Sequence, residues 1–145
     1  MPELAGSCLC GAVTYRYEGP LGAIVHCHCS RCRRWHGAAF RTRAVARRDG
    51  FRWTAGAELV EHYAMTARTT RTFCRRCGSS LATLYREEPD LMALPLGGVS
   101  GDVGARPAFH IFVGSKAPWY EITDGLPQFD QLPPDRDLIH RLLDP

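Results

Sequence analysis

Seven cysteines in three groups constrain this chain of 145 residues more strongly than any other feature of its sequence. An odd number of cysteines excludes a framework in which every cysteine forms a disulfide within the chain. In a reducing compartment, clustered cysteines indicate metal binding or catalysis instead. The groups are the triplet, Cys27, Cys29 and Cys32, and two outlying pairs, Cys8/Cys10 and Cys74/Cys77.

The two outlying pairs are predicted to form one closed metal site, the quartet. Cys8 and Cys10 begin a stretch of alternating apolar residues that predicts a strand, in which residues i and i+2 face the same side. Cys74 and Cys77 form a Cys-x-x-Cys turn followed by Gly78, which permits a tight backbone. Four thiolates are the ligand set of a structural Zn²⁺. Unligated buried cysteines and a redox disulfide in the second pair are the alternatives.

The triplet predicts an open metal site. Cys27 and Cys29 are expected to share one face, and Cys32 returns to them through a tight turn. Three thiolates around Zn²⁺ leave a fourth position for water or a substrate atom. A soft, thiolate-rich zinc favours a soft ligand, so a substrate thiol is the preferred occupant. Its binding would deprotonate the thiol near neutral pH.

Three histidines beside the triplet leave open a closed site of three cysteines and one histidine. His28 lies between two ligands and is expected to project away from both, with His26 on the same face as His28. His36 follows Cys32 by four residues, on the same side if that segment is helical. The fourth position is therefore assigned either to a histidine or to a substrate sulfur.

Several cationic and titratable residues are candidates for substrate contact. Arg31, Arg33 and Arg34 are placed to hold the carboxylates of a small anionic thiol such as glutathione, or else form a solvated basic surface. His110 begins an alternating strand and is a structural histidine, a proton donor or part of the pocket wall. Lys116 either anchors an anionic substrate or caps a turn.

The remaining pattern predicts a mainly β domain covering residues 1–145, with short strands separated by Gly and Pro. A helical turn after Cys32 is expected to stop at Gly37. Residues 97–107 are predicted to form a loop, and residues 134–143 a short amphipathic helix that covers a sheet edge. Strands are expected at 8–18, 23–27, 38–45, 51–54, 59–64, 69–73, 80–85, 91–96 and 109–113.

Charge and hydropathy argue against two classes of partner. The formal charge of +3 counts every thiol as neutral, and seven thiolates with two Zn²⁺ would bring it to zero, which argues against nucleic acid as a partner despite one basic run. The chain has no run of about 18 apolar residues and no signal-peptide pattern, which predicts a soluble, cytoplasmic protein without a membrane partner. Its oligomeric state is not predicted. The basic run is Arg41, Arg43, Arg47 and Arg48, near Phe40 and Phe51.

Four segments together resemble the glutathione-dependent formaldehyde-activating enzyme family, which includes centromere protein V-like members. The resemblance runs from about residue 6 to 130. It implies a tent-like, mainly β fold of short antiparallel sheets with two zinc ions, the quartet holding the structural ion and the triplet the catalytic ion. The segments are GSCLCG at 6–11, CHCSRCR at 27–33, FCRRCG at 73–78 and HIFVGSKAPWY at 110–120.

The resemblance also implies a reaction, the joining of formaldehyde to glutathione to give S-hydroxymethylglutathione, which is classed with the carbon–sulfur lyases from its reverse direction. Many members have no established substrate. Relatives often carry His where this chain has Leu9, a change that leaves the metal ligands untouched. The alternative to an enzyme is a non-enzymatic zinc-binding module for a protein or chromatin partner.

Overall fold

Short strands are the main regular structure of residues 3–140, which are the residues described by the computed structural model. The helices among them are few and brief, α1 (Ser30–His36) and α2 (Asp137–His140). The strands are β1 (Glu3–Ser7), β2 (Thr14–Glu18), β3 (Ile24–Cys27), β4 (Arg41–Arg47), β5 (Phe51–Ala55), β6 (Val60–Ala64), β7 (Thr69–Cys74), β8 (Ser80–Tyr85), β9 (Leu91–Pro95), β10 (Val99–Ser100) and β11 (Pro107–Ile111). The prediction of a mainly β chain is confirmed.

The strands form two sheets, one of four strands in the order β10-β1-β2-β5 and one of seven in the order β11-β3-β4-β9-β8-β7-β6. Every pair is antiparallel except β3 and β11, which run parallel with His110 opposite His26. The prediction of wholly antiparallel sheets is wrong for this pair. Two parallel neighbouring strands must be joined by a long crossover connection. Here that connection is the chain between β3 and β11, which contains strands β4 to β10.

The first predicted strand, 8–18, is wrong in its first half. Cys8 to Val13 is instead the turn between β1 and β2, closed by a hydrogen bond from the Cys8 N–H to the Val13 carbonyl at 3.0 Å. Gly11 has φ +77°, a left-handed conformation that favours glycine and bends the chain. The loop predicted for 97–107 likewise contains β10, which pairs with β1.

The seven-stranded sheet has an apolar core on each face. On one side Ala44 and Ala46 belong to the same cluster as Tyr15 and Tyr17 of the four-stranded sheet. On the other side Val45 packs in a cluster with residues of β3, α1, β11 and α2. Successive side chains of β4 point to opposite faces of the sheet, so Ala44 and Ala46 contribute to one part of the core and Val45 to the other.

Two helices close this second cluster. In α1, Gly37 has φ +58° and donates its N–H to the Arg33 carbonyl, so the predicted stop at Gly37 is confirmed. In α2, Ile139 is fully buried, which agrees with the helix predicted for 134–143, although residues 141–143 lie outside the described part of the chain. None of the helices within residues 3–140 is both long and apolar enough to cross a membrane.

Candidate metal centres

The quartet comes together where the turns of two different sheets meet. Cys8 and Cys10 lie in the β1–β2 turn, Cys74 ends β7, and Cys77 lies in the β7–β8 turn. All four Sγ atoms are within 4.8 Å of one another. The Cys8–Cys10 and Cys10–Cys74 sulfur distances are 3.5 Å and 3.9 Å, close to the roughly 3.8 Å of a tetrahedron with metal–sulfur bonds of about 2.3 Å. The geometry therefore fits one Zn²⁺.

Hydrogen bonds around the quartet stabilise thiolate ligands. The Val13 N–H donates to the Cys8 sulfur at 3.3 Å. The Ser79 hydroxyl lies 3.2 Å from the Cys77 sulfur, and this hydrogen bond is the main cause that lowers the pKa of Cys77 to about 5. Metal ligands must be deprotonated, so these contacts favour metal binding at neutral pH. An ion here would join the four-stranded sheet to the seven-stranded one.

The triplet is built by the junction of β3 and α1. Cys27 ends β3, Cys29 is the N-cap of α1, and Cys32 lies in the first helical turn, where its N–H donates to the Cys29 sulfur at 3.3 Å. The tight turn expected before Cys32 is thus the start of a helix. The three sulfurs are within 4.8 Å of one another. Cys27 and Cys32 are buried, and Cys29 is half-buried.

A buried arginine stabilises the triplet. Arg71, only 3% exposed, donates through Nη2 to the Cys32 sulfur at 3.3 Å. Hydrogen bonds with Cys27 and Cys29 lower the pKa of Cys32 most, and Arg41 and Arg71 add to the effect. These contacts favour the thiolate form of Cys32.

Within residues 3–140, no histidine nitrogen or carboxylate oxygen lies within 4.8 Å of all three triplet sulfurs. His26 places Nδ1 2.7 Å from the Thr42 hydroxyl. His36 is kept largely neutral, because burial first and Arg41 second lower its pKa to about 4. Its Nε2 is buried and has no hydrogen-bond partner among the described residues.

A chain of hydrogen bonds runs from the middle of the triplet segment to the surface. His28 Nε2 lies 2.8 Å from His110 Nδ1, and His110 Nε2 lies 3.0 Å from the half-exposed Asp124 carboxylate. In the neutral form of His110, Nε2 donates to the carboxylate, which only accepts, and Nδ1 is the acceptor. His28 must then donate through Nε2, which leaves its buried Nδ1 as an acceptor without a partner among residues 3–140.

Replacing Asp124 with alanine is expected to let His28 and His110 each adopt a mixture of the two neutral tautomers. The change removes the acceptor that holds the proton on His110 Nε2, and the broken hydrogen bond should cost about 1 kcal/mol of stability. Nitrogen-15 NMR of the imidazoles should show single tautomers in the wild type and mixed ones in the variant. Asp130→Ala, at an exposed position, is the control. Unchanged nitrogen shifts in Asp124→Ala would contradict the assignment.

A large cavity, of about 670 Å³, lies where the ends of the two sheets meet α1. It touches the quartet through Cys8 and the end of α1 through His36. Its wall also includes Phe40, whose ring packs against His26 and His28. The residues that line it are Ser7, Cys8, Leu9, His36, Ala38, Phe40, Arg41, Thr42, Ser79, Ser80, Pro95, Gly97, Gly98, Val99 and Ser100.

Comparison with known families decides the chain's classification. The model of the glutathione-dependent formaldehyde-activating enzymes matches residues 3–115. The chain belongs to this family. The resemblance seen in its four sequence segments is thereby confirmed.

Relatives and one solved structure agree with membership in the formaldehyde-activating family. A protein of Schizosaccharomyces pombe named as an uncharacterized lyase is 31% identical over 59% of this chain, and the match spans 60% of that relative's length. A Halomonas elongata protein, named as a candidate glutathione-dependent formaldehyde-activating enzyme, is 29% identical over 82% of this chain and 80% of its own. A crystal structure from Rhodobacter sphaeroides is 31% identical, with a TM-score of 0.58 over 71% of this chain and 97% of that one.

The four residues predicted to contact substrate are placed elsewhere than in the large cavity. Arg31 is exposed, and Arg33 donates through Nε to the Ser115 carbonyl at 3.1 Å. Lys116 donates to the carbonyls of Ala117, at 3.2 Å, and Tyr120, as expected of a residue that caps a turn. Both ring nitrogens of the buried His110 are engaged. A substrate role for these four residues stays a prediction.

Sequence reasoning missed a group of buried arginines in this family member. Arg41, Arg43 and Arg71 are 6%, 7% and 3% exposed, so the predicted basic run is in part internal rather than a surface for nucleic acid. Arg41 donates to the Thr83 hydroxyl at 3.0 Å. Five guanidinium nitrogens of the three residues are buried without a hydrogen-bond partner within residues 3–140. The sequence feature that could have indicated their burial was the i, i+2 spacing of Arg41 and Arg43, which places both on one face of an apolar strand.

Replacing Arg71 with methionine is expected to weaken metal binding by the triplet about 10- to 100-fold, the usual effect of losing a residue that supports a metal ligand. The variant loses the hydrogen bond and the positive charge beside Cys32, but it keeps a long apolar side chain. Competition with a chromophoric chelator measures the affinity of the weaker site. Arg52→Met, at an exposed position of β5, is the control, and equal affinities in the two variants would contradict the role of Arg71.

Proposed function

We propose that this chain is a zinc-dependent carbon–sulfur lyase-type enzyme that converts glutathione and formaldehyde to S-hydroxymethylglutathione and back. Family membership and the names of its relatives support a glutathione-related activating or lyase role. The observation that carries the proposal is the triplet, three sulfurs within 4.8 Å of one another without a fourth protein ligand in the described chain. Such a set leaves a position for a substrate atom.

The two cysteine groups are assigned different roles. The quartet, which joins turns of both sheets, would hold a structural Zn²⁺, and the triplet would hold a catalytic one. When bound by the triplet, Zn²⁺ supplies Lewis acidity that keeps a substrate thiol deprotonated at neutral pH. The donor sets fit these roles, since one is complete and the other is not.

The reaction needs no redox partner. The thiol sulfur of glutathione loses a proton and bonds to the carbonyl carbon of formaldehyde, and the carbonyl oxygen gains a proton. Formaldehyde adds to thiols readily, so the main contribution of the protein is to supply thiolate and hold both reactants together. The buried positive charges of Arg41 and Arg71 stabilise the negative charge that passes from sulfur to oxygen.

The test is the rate at which S-hydroxymethylglutathione breaks down, measured with excess aldehyde trap and zinc-loaded protein. We expect breakdown to become faster in proportion to protein concentration, and this acceleration to vanish in Cys29→Ser. A rate equal to that without protein, with two zinc ions bound, would overturn the proposal. That result would favour the non-enzymatic zinc-binding module.

A further inference from the structure

Three buried arginines share the face of the seven-stranded sheet that carries the triplet. Arg41 is the strand partner of Cys27, and the side chains of directly paired residues point to the same face. Arg43 follows two residues later, about 7 Å along β4, and points to that face as well. Arg71 lies on β7 and donates to the Cys32 sulfur at 3.3 Å. Three positive charges therefore lie on the side of the sheet where the three thiols meet.

Carboxylates of the described chain do not balance these charges. The ion pairs identified within residues 3–140 all involve other basic residues. Arg43 alone has two buried nitrogens, Nε and Nη1, without a hydrogen-bond partner in that part of the chain. A buried charge is costly unless a group of opposite charge lies near it. The thiolates of the triplet are the negative groups that the structure places on this face.

Metal binding by the triplet changes this balance of charge. Three thiolates and one Zn²⁺ carry a net charge of −1, which the three arginines bring to +2. A neutral fourth ligand leaves that value unchanged, whereas a singly charged anion lowers it to +1. Charges interact strongly in a buried site of low dielectric constant. The arginines should therefore favour an anion over a neutral molecule as the fourth ligand.

His36 shows that the arginines influence a neighbouring group in this way. Burial first and Arg41 second lower the pKa of His36 to about 4, and Arg71 adds to the effect. The imidazole is thereby kept neutral at physiological pH. As a neutral donor it would leave the excess of positive charge beside the triplet in place.

We propose that the three buried arginines make the triplet metal select anionic ligands over neutral ones, with Arg43 as a residue that determines this specificity. The inference rests on the proposed function, because it concerns the ligand class of the same open site. Arg43 forms no hydrogen bond with a cysteine of the described chain, and it is not among the residues that line the large cavity. It acts through its charge. Thiolates are the natural members of the selected class, and small inorganic anions such as azide share their charge.

The absorption bands of protein loaded with Co²⁺ in place of Zn²⁺ test this selection. The bands shift when a ligand joins the triplet metal, and they are followed during titration with azide, an anion, and with imidazole, a neutral donor. Arg43→Met should weaken azide binding about tenfold, because one nearby buried charge is lost. Imidazole binding should change less than about twofold. Arg52→Met, at an exposed position of β5, should bind both ligands like the wild type.

A second variant, Arg43→Gln, is polar but uncharged and gives the same comparison if the methionine variant does not fold. Azide affinity equal to that of the wild type in the Arg43 variants would overturn the charge selection and leave the proposed function standing. Parallel losses of azide and imidazole binding would also overturn it, since they indicate general damage to the triplet. If the wild-type protein binds neither ligand, the open position itself is absent and the proposed function fails.

Discussion

Cys74→Ser is expected to unfold the protein. Cys74 is completely buried, and its sulfur lies 3.9 Å from that of Cys10 in the opposite turn. A structural zinc contributes about 10–16 kcal/mol to folding, comparable to the whole stability of a typical domain, about 5–15 kcal/mol. Circular dichroism should show loss of the cooperative thermal transition, and metal analysis should show loss of the structural ion.

The outcome of Cys74→Ser separates a structural quartet from a group of ordinary buried cysteines. Without metal, the change from a buried thiol to a hydroxyl should lower stability by only about 1–3 kcal/mol. A folded Cys74→Ser protein with an unchanged metal content would therefore contradict the structural assignment. Ser115→Ala, far from the quartet along the chain, is a control for handling and expression.

Cys29→Ser is expected to leave the protein folded and to abolish its activity. Cys29 is the N-cap of α1 and accepts the Cys32 N–H through its side chain. Serine is among the best N-cap residues, so the helix start is preserved. The loss of one ligand from the catalytic metal should lower the rate of adduct breakdown on the order of 10³-fold.

The two serine variants together distinguish the enzyme from a purely structural zinc module. Cys29→Ser should keep the wild-type circular dichroism spectrum and one zinc ion per chain. If Cys29→Ser unfolds as severely as Cys74→Ser, the triplet holds the fold together, and the distinction between the two groups is lost. Thermal melts of both proteins in the same buffer make this comparison.

Sequence reasoning predicted the grouping of the cysteines better than the backbone that presents them. Chain spacing was enough to separate the triplet from the two pairs, because few arrangements allow seven thiols to meet metal ions. The local structure at Cys8 and Cys10 was mistaken for a strand, since the alternation of Val13, Tyr15 and Tyr17 was extended too far towards the N-terminus. The left-handed Gly11 turns the chain there.

The surroundings of the triplet depended on contacts that are distant in sequence. His28 meets His110 only because β3 and β11 pair in parallel, and no local pattern signals such a pairing. Arg41 and Arg71 were missed because arginine is usually exposed. The arginines expected beside the triplet were those of α1, Arg31, Arg33 and Arg34, because they are close to it in sequence. The arginines that are buried beside it, Arg41 and Arg71, come from strands that are more distant in sequence.

The most direct test of the account is the number of sulfur ligands on zinc, measured by X-ray absorption at the zinc edge with and without glutathione. The central claim is that the triplet leaves one position for a substrate thiol. The account predicts seven sulfur ligands shared by two zinc ions in the free protein, and one additional zinc–sulfur bond at about 2.3 Å after glutathione is added. An unchanged sulfur count at saturating glutathione would contradict it.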